Sequence, residues 1–317
     1  MDEPVVPEQF QTSNRVLMIR PSRFGFHAQA AQSNAFMIRD GSNADDTASR
    51  AVHEFDGLVD ALRSAGIEVC VYQDTDDLPD CVFPNNWFSW HTPVEGNPVV
   101  VTYPMCNELR RAERRGEVLD RLIHGVESVN HIDLSMLEDD AEILEGTGSL
   151  VLDRIQGKAF ACLSPRTTLT ALDAWCDETG YQPVVFHAVD EESQPIYHTN
   201  VMLSVGERVA VVCAESVPDL DERAELMYAL ESGDRQILEI SLDQMNSLCG
   251  NILELSDQAG NTVFAMSSRA FNAFTADQRA VLSANGRIVH APIPTIEDVG
   301  GGSVRCMIAE AGRVAQT

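Results

Sequence analysis

The chain has 317 residues, of which 49 are acidic and 22 are basic, so its formal net charge is −27. A surface this acidic repels phosphate groups, which argues against nucleic acids and anionic membranes as partners. The hydrophobic fraction of 44% supports a packed globular core, and no apolar run reaches the roughly 20 residues that span a bilayer.

The eight cysteines are scattered along the chain and include no C-x-x-C pair. This spacing argues against a zinc ribbon and against a dense disulfide framework. The first residues, MDEPVVPEQF, are acidic and contain two prolines, so we expect no signal or transit peptide there. A reducing, cytoplasmic location is therefore expected.

Short apolar runs rich in β-branched residues alternate with helical patterns along the whole chain. A first strand is predicted at Val16–Ile19, and apolar residues at helical spacing predict a helix from Thr47 to Ser64. An arginine-rich helix is predicted from Asn107 to Ile123, and a capping box of Thr275 and Gln278 predicts the start of another. The further predicted strands are IEVCVY, PVVVTY, SLVLD, AFACLS, PVVFH, NVMLSV, RVAVVC, NILEL, TVFAM and RIVH.

The order of these elements argues against the common nucleotide-binding folds. Some strands follow one another directly, as NVMLSV and RVAVVC do, whereas a doubly wound parallel sheet alternates strands and helices more strictly. The segment EGTGSLV lacks the last glycine of G-x-G-x-x-G, and VGGGSVRC contains no G-K-[S/T]. No linker marks a boundary, so we predict a single α/β domain over residues 1–317, and no spacing of histidines and carboxylates suggests a metal site.

The segment GGGSVRCMIAE contains the first candidate for chemistry. Glycines at a turn allow close approach of the backbone to a ligand, and their amides can stabilise an oxyanion. Cys306 follows them at the predicted entry of an apolar strand, where a thiol is more accessible than in mid-strand. A tight turn before a core strand with a buried cysteine explains the same pattern, so this segment alone leaves both interpretations open.

Two further segments offer partners for a nucleophilic thiol. Such a thiol needs a base or a cation nearby, and His198, just before the run NVMLSV, is a candidate. Glu145 lies between an apolar pair and a Gly-Thr-Gly turn, where a carboxylate can orient a histidine or bind a substrate N–H. Taken singly, each residue also fits a purely structural role.

The segment CVFPNNWFSWH places two amide side chains beside much of the scarce aromatic surface. Asn85 and Asn86 follow a proline, and asparagines at such a position often build a turn. Together with the neighbouring aromatic residues, they also suit a small polar group held in an apolar pocket.

In this order, the four segments resemble the guanidino-group modifying enzymes, which include arginine deiminase, dimethylarginine hydrolase and the amidinotransferases. The resemblance extends from FHAQAAQSNAF to GGGSVRCM. The glycine-rich stretch before Cys-Met matches residues 300–307, H-x-D matches residues 198–200, E-G-G-D matches residues 145–148, and F-x-R-D matches residues 83–86. The resemblance implies the pentein fold, an α/β-propeller of five ββαβ-type modules around a central active site.

The departures from the family pattern predict the substrate class. Arginine deiminases have aspartates where this sequence has Asn86 and Asn200. A guanidinium is cationic and only donates hydrogen bonds, which suits carboxylates, whereas an asparagine amide can both donate to and accept from a neutral ureido group. Burying carboxylates against a neutral ligand would leave charge uncompensated. Asn85 stays an alternative to Asn86, because the register of this match depends on one phenylalanine.

The segments MIRP, SNAF and FPNNWFS resemble the citrulline-utilisation hydrolase branch, also called citrulline ureidase. This resemblance implies hydrolysis of L-citrulline to ornithine, carbon dioxide and ammonia through a carbamoyl intermediate on Cys306. His198 would protonate the leaving amine and activate water, and Glu145 would hold His198 or a substrate N–H. No metal or organic cofactor is implied.

The alternatives in the same fold are an arginine deiminase, an arginine dihydrolase or a dimethylarginine hydrolase-like enzyme, each acting on a guanidino substrate. An alternative from another class is a non-catalytic amino-acid-binding protein. The expected partner is a small ureido or guanidino amino acid, and a homo-oligomer stays open. Asn34 is a substrate-binding candidate by resemblance, and Arg20, Arg39 and Arg305 could each bind a carboxylate or form an ion pair.

Overall fold

The computed structural model of the protein describes residues 8, 10–39, 41, 43–76, 78–124, 126 and 128–313. Within them, fifteen strands form five sheets of three strands each. The strands are β1 (Arg15–Arg20), β2 (Glu68–Gln73), β3 (Phe88–His91), β4 (Val99–Thr102), β5 (Asn130–Asp133), β6 (Val151–Asp153), β7 (Lys158–Cys162), β8 (Gln182–Phe186), β9 (Leu203–Val205), β10 (Val209–Val212), β11 (Gln236–Glu239), β12 (Leu253–Ser256), β13 (Thr262–Ser267), β14 (Arg287–Ala291) and β15 (Ala309–Glu310). The helices are α1 (Ala44–Ser64), α2 (Glu108–Arg111), α3 (Gly116–Ile123), α4 (Gly146–Ser149), α5 (Leu169–Thr179), α6 (Leu220–Glu231), α7 (Leu242–Asn246), α8 (Ser268–Ala273), α9 (Ala276–Asn285), α10 (Pro294–Gly300) and α11 (Val304–Met307).

Every sheet has the same pattern of strand pairing. Its central strand pairs antiparallel with one neighbour and parallel with the other, as β4 does with β3 and β5. The parallel partner follows after at least one helix, because a parallel connection must cross back over the sheet. The pattern recurs in the sheets β6-β7-β8, β9-β10-β11 and β12-β13-β14. In the fifth sheet, β1 pairs parallel with β2 and antiparallel with β15, which comes from the other end of the chain.

These five ββαβ units confirm the predicted α/β-propeller of the pentein type. The first strands of the units are neighbours, since β15 contacts β3, β6 contacts β9, and β9 contacts β12. The helices pack on the outside of the sheets, as α1 does on β2 and β14 and α6 does on β8. The first strands of the units, which we call the inner strands, therefore surround the centre of the molecule.

Helix α1 illustrates how local sequence sets the bounds of an element. The side chain of Asn43 accepts a hydrogen bond from the backbone N–H of Asp45, so the helix begins at Ala44 rather than at the predicted Thr47. Such an N-cap stabilises a helix by about 1 kcal/mol. The chain leaves the helix through Gly66, whose φ of 88° lies in the left-handed region that favours glycine.

The single helix predicted from Asn107 to Ile123 is wrong, because the structure divides it into α2 and α3. Between them, the side chains of Glu113 and Arg115 are both buried. Residues two positions apart point about 200° away from each other on a helix, so a continuous helix could not bury both on one side. Burial of these charged side chains therefore interrupts the helix.

Three predicted strands begin later than expected, and one predicted site residue lies in a helix rather than at the start of a strand. The runs SLVLD, NVMLSV and NILEL become strands only at Val151, Leu203 and Leu253. Cys306 was expected at the entry of a strand but lies in α11, before the short strand β15. Asn, Ser and Gly residues favour tight turns at these places. The short polar side chains of Asn and Ser form hydrogen bonds with the nearby backbone in competition with strand pairing, and Gly adopts backbone conformations that other residues avoid.

A short buried turn therefore precedes the first strand of every unit. The five turns are Pro84–Asn86, Gly146–Ser149, Thr199–Val201, residues 248–251 and Val304–Met307. The second turn contacts the first and the third, and the last contacts the first. Side chains from all five units consequently meet at the centre.

Two further observations concern the described residues. All eight cysteines are free. In the part of the chain that the structure describes, no helix combines the length and the apolar character that a membrane span requires.

Candidate active site

The central turns and the segment after β1 enclose a small cavity. Its lining residues are Ala30, Asn34, Met37, Asp80, Phe83, Asn86, Arg110, Arg166, Tyr197, His198, Gly300, Gly302 and Cys306. The free volume is about 20 Å³, which is room for about one water molecule. The segment after β1 contributes Ala30, Asn34 and Met37 to this lining, and we call it the covering segment. An amino acid needs more room than the cavity offers, so we expect this segment to shift when one binds. Of the predicted site residues, four line the cavity directly: Asn34, Asn86, His198 and Cys306.

Cys306 lies on α11 with its side chain almost fully buried, at 3% exposure. Its sulfur is 3.6 Å from Nδ2 of Asn200, so the structure brings these two predicted residues into contact. A second amide reaches the same atom, because Nδ2 of Asn251 is 3.3 Å from Sγ. The thiol is thus held between two asparagine side chains at the wall of the cavity.

His198 and Glu145 form a buried pair next to the cavity. Nε2 of His198 is 2.8 Å from Oε2 of Glu145, and Nη1 of Arg166 is 3.4 Å from the same oxygen. The backbone N–H of Cys106 donates to the other carboxylate oxygen, at 3.1 Å. Glu145 therefore has a partner on both oxygens, and it fixes one nitrogen of the imidazole.

The protonation states of this pair follow from its surroundings. Burial lowers the pKa of His198 to about 4, although Glu145 acts in the opposite direction. Burial alone would raise the pKa of Glu145, but Arg166 and His198 hold it well below its usual range. At neutral pH Glu145 is a carboxylate, and His198 is a neutral imidazole that donates through Nε2 and keeps a lone pair on Nδ1.

Asn86 presents a fixed amide to the cavity. Nη1 of Arg110 donates to its Oδ1 at 2.7 Å, and because a guanidinium cannot accept, this contact determines which atom is the oxygen. Nδ2 of Asn86 is buried and has no hydrogen-bond partner among the described residues. Arg110 is itself held by Glu113, at 2.9 Å, and by the backbone oxygen of Phe83.

Asn85 is not among the residues that line the cavity. It is fully buried, and its Nδ2 donates to the hydroxyl oxygen of Thr147 at 3.3 Å. The structure therefore places Asn86, and not Asn85, on the cavity wall.

Asn34 lies in the covering segment, where its Nδ2 donates to the backbone oxygen of Gly301 at 3.3 Å. The three arginines considered for a substrate carboxylate do not line the cavity. Arg20 forms an ion pair with Asp56, Arg39 lies over the ring of Phe26, and Arg305 donates to Glu310 and to the backbone oxygen of Ile308.

Four residues that the motifs did not single out also belong to this region: Asp80, Arg110, Arg166 and Asn251. Arg110 lies within a helical pattern and Arg166 in a loop. The sequence around them does not distinguish a buried arginine from an exposed one. Asn251 had a usable signal, since it precedes β12 as Asn86 precedes β3 and Asn200 precedes β9. Among the described residues, no group of three His, Cys, Asp or Glu side chains could hold a metal ion.

Gly148 keeps two of these side chains close to each other. A Cβ atom on this residue would lie 2.4 Å from Nδ2 of Asn86 and 2.7 Å from Nδ1 of His198. Neither side chain can yield easily, because Arg110 holds the first and Glu145 holds the second. We therefore expect Gly148→Ala to lower kcat by roughly 10²-fold, the effect of misplacing catalytic groups by about 1 Å.

Steady-state kinetics together with thermal unfolding tests this expectation. Gly57→Ala is the matched control, because Gly57 lies in α1 with no atom within 4 Å of the new methyl group. The control should keep full activity and gain about 0.5–1 kcal/mol of stability. A wild-type kcat in Gly148→Ala would contradict the described proximity.

Comparisons with known proteins agree with this architecture. A family model described as N,N dimethylarginine dimethylhydrolase, eukaryotic, matches residues 20–313. The apo structure of ArgZ, an arginine dihydrolase from the ornithine–ammonia cycle in cyanobacteria, matches with a TM-score of 0.71 and 15% identity. That match covers 95% of this chain and 41% of ArgZ, so this chain spans about two fifths of that protein.

Two further structures match along almost their whole length. The N-terminal domain of ArgZ bound to substrate has a TM-score of 0.71 and 16% identity, over 94% of this chain and 98% of the domain. A dimethylarginine dimethylaminohydrolase adduct with S-methyl-L-thiocitrulline has a TM-score of 0.62 and 13% identity, over 94% of this chain and 99% of the other. At such identities these structures establish a common fold. No curated protein sequence matches the chain.

Proposed function

The chain belongs to the family described as N,N dimethylarginine dimethylhydrolase, eukaryotic, in the guanidino-group modifying superfamily, and from this premise we propose its reaction. The assignment confirms the expected cysteine-dependent C–N hydrolase and leaves the non-catalytic alternative without support. We propose that Cys306 attacks the central carbon of a ureido or guanidino group at the side-chain end of an α-amino acid. The observation that carries this proposal is the convergence of Cys306, His198 and Asn86 on one cavity.

The fixed amide of Asn86 supports a ureido substrate. Arg110 occupies its oxygen, so Asn86 offers the cavity only the N–H donors of Nδ2. A ureido oxygen accepts such a hydrogen bond, whereas a guanidinium has only donors of its own. We therefore propose L-citrulline as the substrate, with its ureido oxygen on Nδ2 of Asn86.

The charges around the cavity support the same choice. Arg110 and Arg166 contribute two cations to its lining. The carboxylates that face them are engaged, since Glu113 pairs with Arg110 and Glu145 pairs with both Arg166 and His198. The remaining carboxylate on the lining is Asp80, which we assign below to the α-ammonium group. A cationic guanidinium would then lie near these arginines without a carboxylate of its own, at an electrostatic cost that a neutral ureido group avoids.

Arginine is the second candidate, and the comparisons favour a guanidino substrate over citrulline. The family description names dimethylarginine, and ArgZ is described as an arginine dihydrolase. A dihydrolase of this kind would carry arginine to ornithine, and a deiminase would stop at citrulline.

Two further residues are proposed to bind the amino-acid end of either substrate. Oδ1 of Asp80 is buried and lacks a hydrogen-bond partner among the described residues, while Oδ2 contacts His27 at 2.6 Å. An unpartnered carboxylate oxygen suits an α-ammonium group. Arg166 now donates to the backbone oxygen of Ala30 and to the hydroxyl oxygen of Ser33, and it would take the α-carboxylate when these covering residues shift.

In the proposed steps, His198 takes up and gives back each proton that Cys306, the leaving amine and water exchange. His198, neutral at rest, takes the proton of the Cys306 thiol on Nδ1, and the thiolate attacks the ureido carbon. The imidazolium then gives this proton to the leaving amine, so that ornithine departs and a carbamoyl thioester remains on the enzyme. His198 next deprotonates a water, the hydroxide attacks the thioester carbon, and the C–S bond breaks. The imidazolium then returns its proton to Sγ, and the released carbamic acid decomposes to carbon dioxide and ammonia.

Separate incubations with citrulline and with arginine test the proposed substrate, with ornithine, citrulline and ammonia assayed in each. We expect ornithine and ammonia to appear together from citrulline, and arginine to be consumed far more slowly. Consumption of arginine with accumulation of citrulline would establish a deiminase instead. Arginine carried through to ornithine, with free citrulline left untouched, would establish a dihydrolase.

A further inference from the structure

We propose that Asn251, acting with Asn200, is a catalytic residue that donates an N–H to Sγ of Cys306 and holds it as the reactive thiolate. This inference rests on the proposed role of Cys306 as the nucleophile. It adds a residue that none of the recognised motifs contains. It also assigns Asn200 to the sulfur rather than to the substrate's ureido group.

The orientation of the Asn251 amide follows from its contacts. Nδ2 of Asn251 is 2.9 Å from the backbone oxygen of Asn200 and 3.3 Å from Sγ of Cys306. A backbone carbonyl only accepts hydrogen bonds, so the atom facing it must be the nitrogen. One of its two hydrogens is used on this carbonyl, and the other is shared between Sγ of Cys306 and Oδ1 of Asn200, which lies 3.2 Å away.

Asn200 is held in the same way. Its Nδ2 donates to the backbone oxygen of Thr147 at 3.1 Å and lies 3.6 Å from Sγ of Cys306. The second hydrogen of this amide is within hydrogen-bond reach of the sulfur, and Oδ1 of the same amide lies 3.8 Å from Sγ. Two amides, each anchored to a main-chain oxygen, therefore converge on one sulfur atom.

The backbone around Asn251 is built for close approach. Leu248 has a φ of 63°, a left-handed conformation that a leucine adopts only under constraint. A Cβ on Gly250 would lie 2.3 Å from the backbone oxygen of Val201, so only glycine lets this turn press against the turn that carries Asn200. Strained backbone of this kind is concentrated at functional sites.

The sulfur has no cationic hydrogen-bond partner among the described residues. Tyr197 and Arg305 interact with it electrostatically, but their own hydrogen bonds go elsewhere, to the backbone oxygen of Gly301 and to Glu310, respectively. A thiolate in such a place depends on neutral N–H donors. The same donors stabilise the sulfur when the C–S bond of the thioester breaks and its electron pair returns to Sγ.

The pH dependence of Cys306 alkylation by iodoacetamide tests this role without any substrate. In Asn251→Asp, a side chain of equal size replaces the donor by an oxygen that carries negative charge. We expect the midpoint of the alkylation rate to move up by about one pH unit, with a tenfold lower rate at neutral pH and a comparable loss of kcat. Asn251→Ala removes the donor without adding charge and should shift the midpoint in the same direction.

Asn246→Asp is the matched control, because it makes the same change at an exposed position at the end of α7. An unchanged alkylation midpoint in folded Asn251→Asp, or in Asn251→Ala if the first variant does not fold, would overturn the inference. A wild-type protein in which Cys306 is not the fastest-reacting thiol would instead overturn the proposed function. The two failures are therefore distinguishable.

Discussion

Cys306→Ser is expected to lower kcat by about 10⁴-fold or more while leaving the fold intact. A serine hydroxyl at this place has a proton that neutral His198 removes far less readily than a thiol proton, because an alcohol is a much weaker acid. The replacement is nearly isosteric, and the sulfur's hydrogen-bond partners among the described residues are the side chains of Asn200 and Asn251. Kinetics and circular dichroism on the same preparation measure both parts of the expectation.

Cys176→Ser is the appropriate control, since Cys176 is a free, partly buried cysteine on α5, away from the cavity. It should retain wild-type kcat. Retention of activity in Cys306→Ser, or a comparable loss in the control, would refute the assignment of the nucleophile.

His198→Asn should lower kcat by about 10²–10⁴-fold, because one residue carries every proton transfer in the proposed steps. The pH profile of the wild type gives a second, independent result. Since burial lowers the pKa of His198 to about 4, the imidazole is neutral above that pH and becomes protonated only below it. Activity should therefore fall as the pH decreases through about 4, and it should not change near 6.5, where an exposed histidine titrates.

His187→Asn serves as the control, because His187 is an exposed histidine paired with Glu222. It should leave kcat and the acid limb unchanged. An acid limb near pH 6.5 in the wild type, or near-normal kcat in His198→Asn, would contradict the proposed role of His198.

The sequence allowed strands to be predicted better than the residues at which they begin. Apolar runs such as those of β1, β7 and β13 could be assigned from β-branched composition. The order of four weak motifs, rather than any periodicity, predicted the five-unit fold. Three of the turns before the inner strands were predicted wrongly as strand ends, because an apolar pattern continues through them and only tertiary contacts bend the chain there.

Some residues of the candidate site could likewise be predicted from the sequence, whereas others were found only in the structure. Cys306, His198, Glu145, Asn86 and Asn200 come from family motifs, and the structure brings all of them to one region. Arg110 could not be recognised, because its importance lies in which atom it approaches, whereas the place of Asn251 just before β12 was a signal that could have found it. Arg110 decides how the amide of Asn86 is oriented, and that contact joins residues 24 positions apart in the chain.

Mass analysis of the enzyme quenched during turnover tests the central claim most directly. Citrulline should leave a carbamoyl group on the peptide that contains Cys306, and that group should disappear as ornithine production ends. An adduct that still contains the amino-acid carbon chain would mean that ammonia departs first, as expected for attack on arginine. Steady formation of ornithine with no adduct on Cys306 at any quench time would contradict covalent catalysis by this residue.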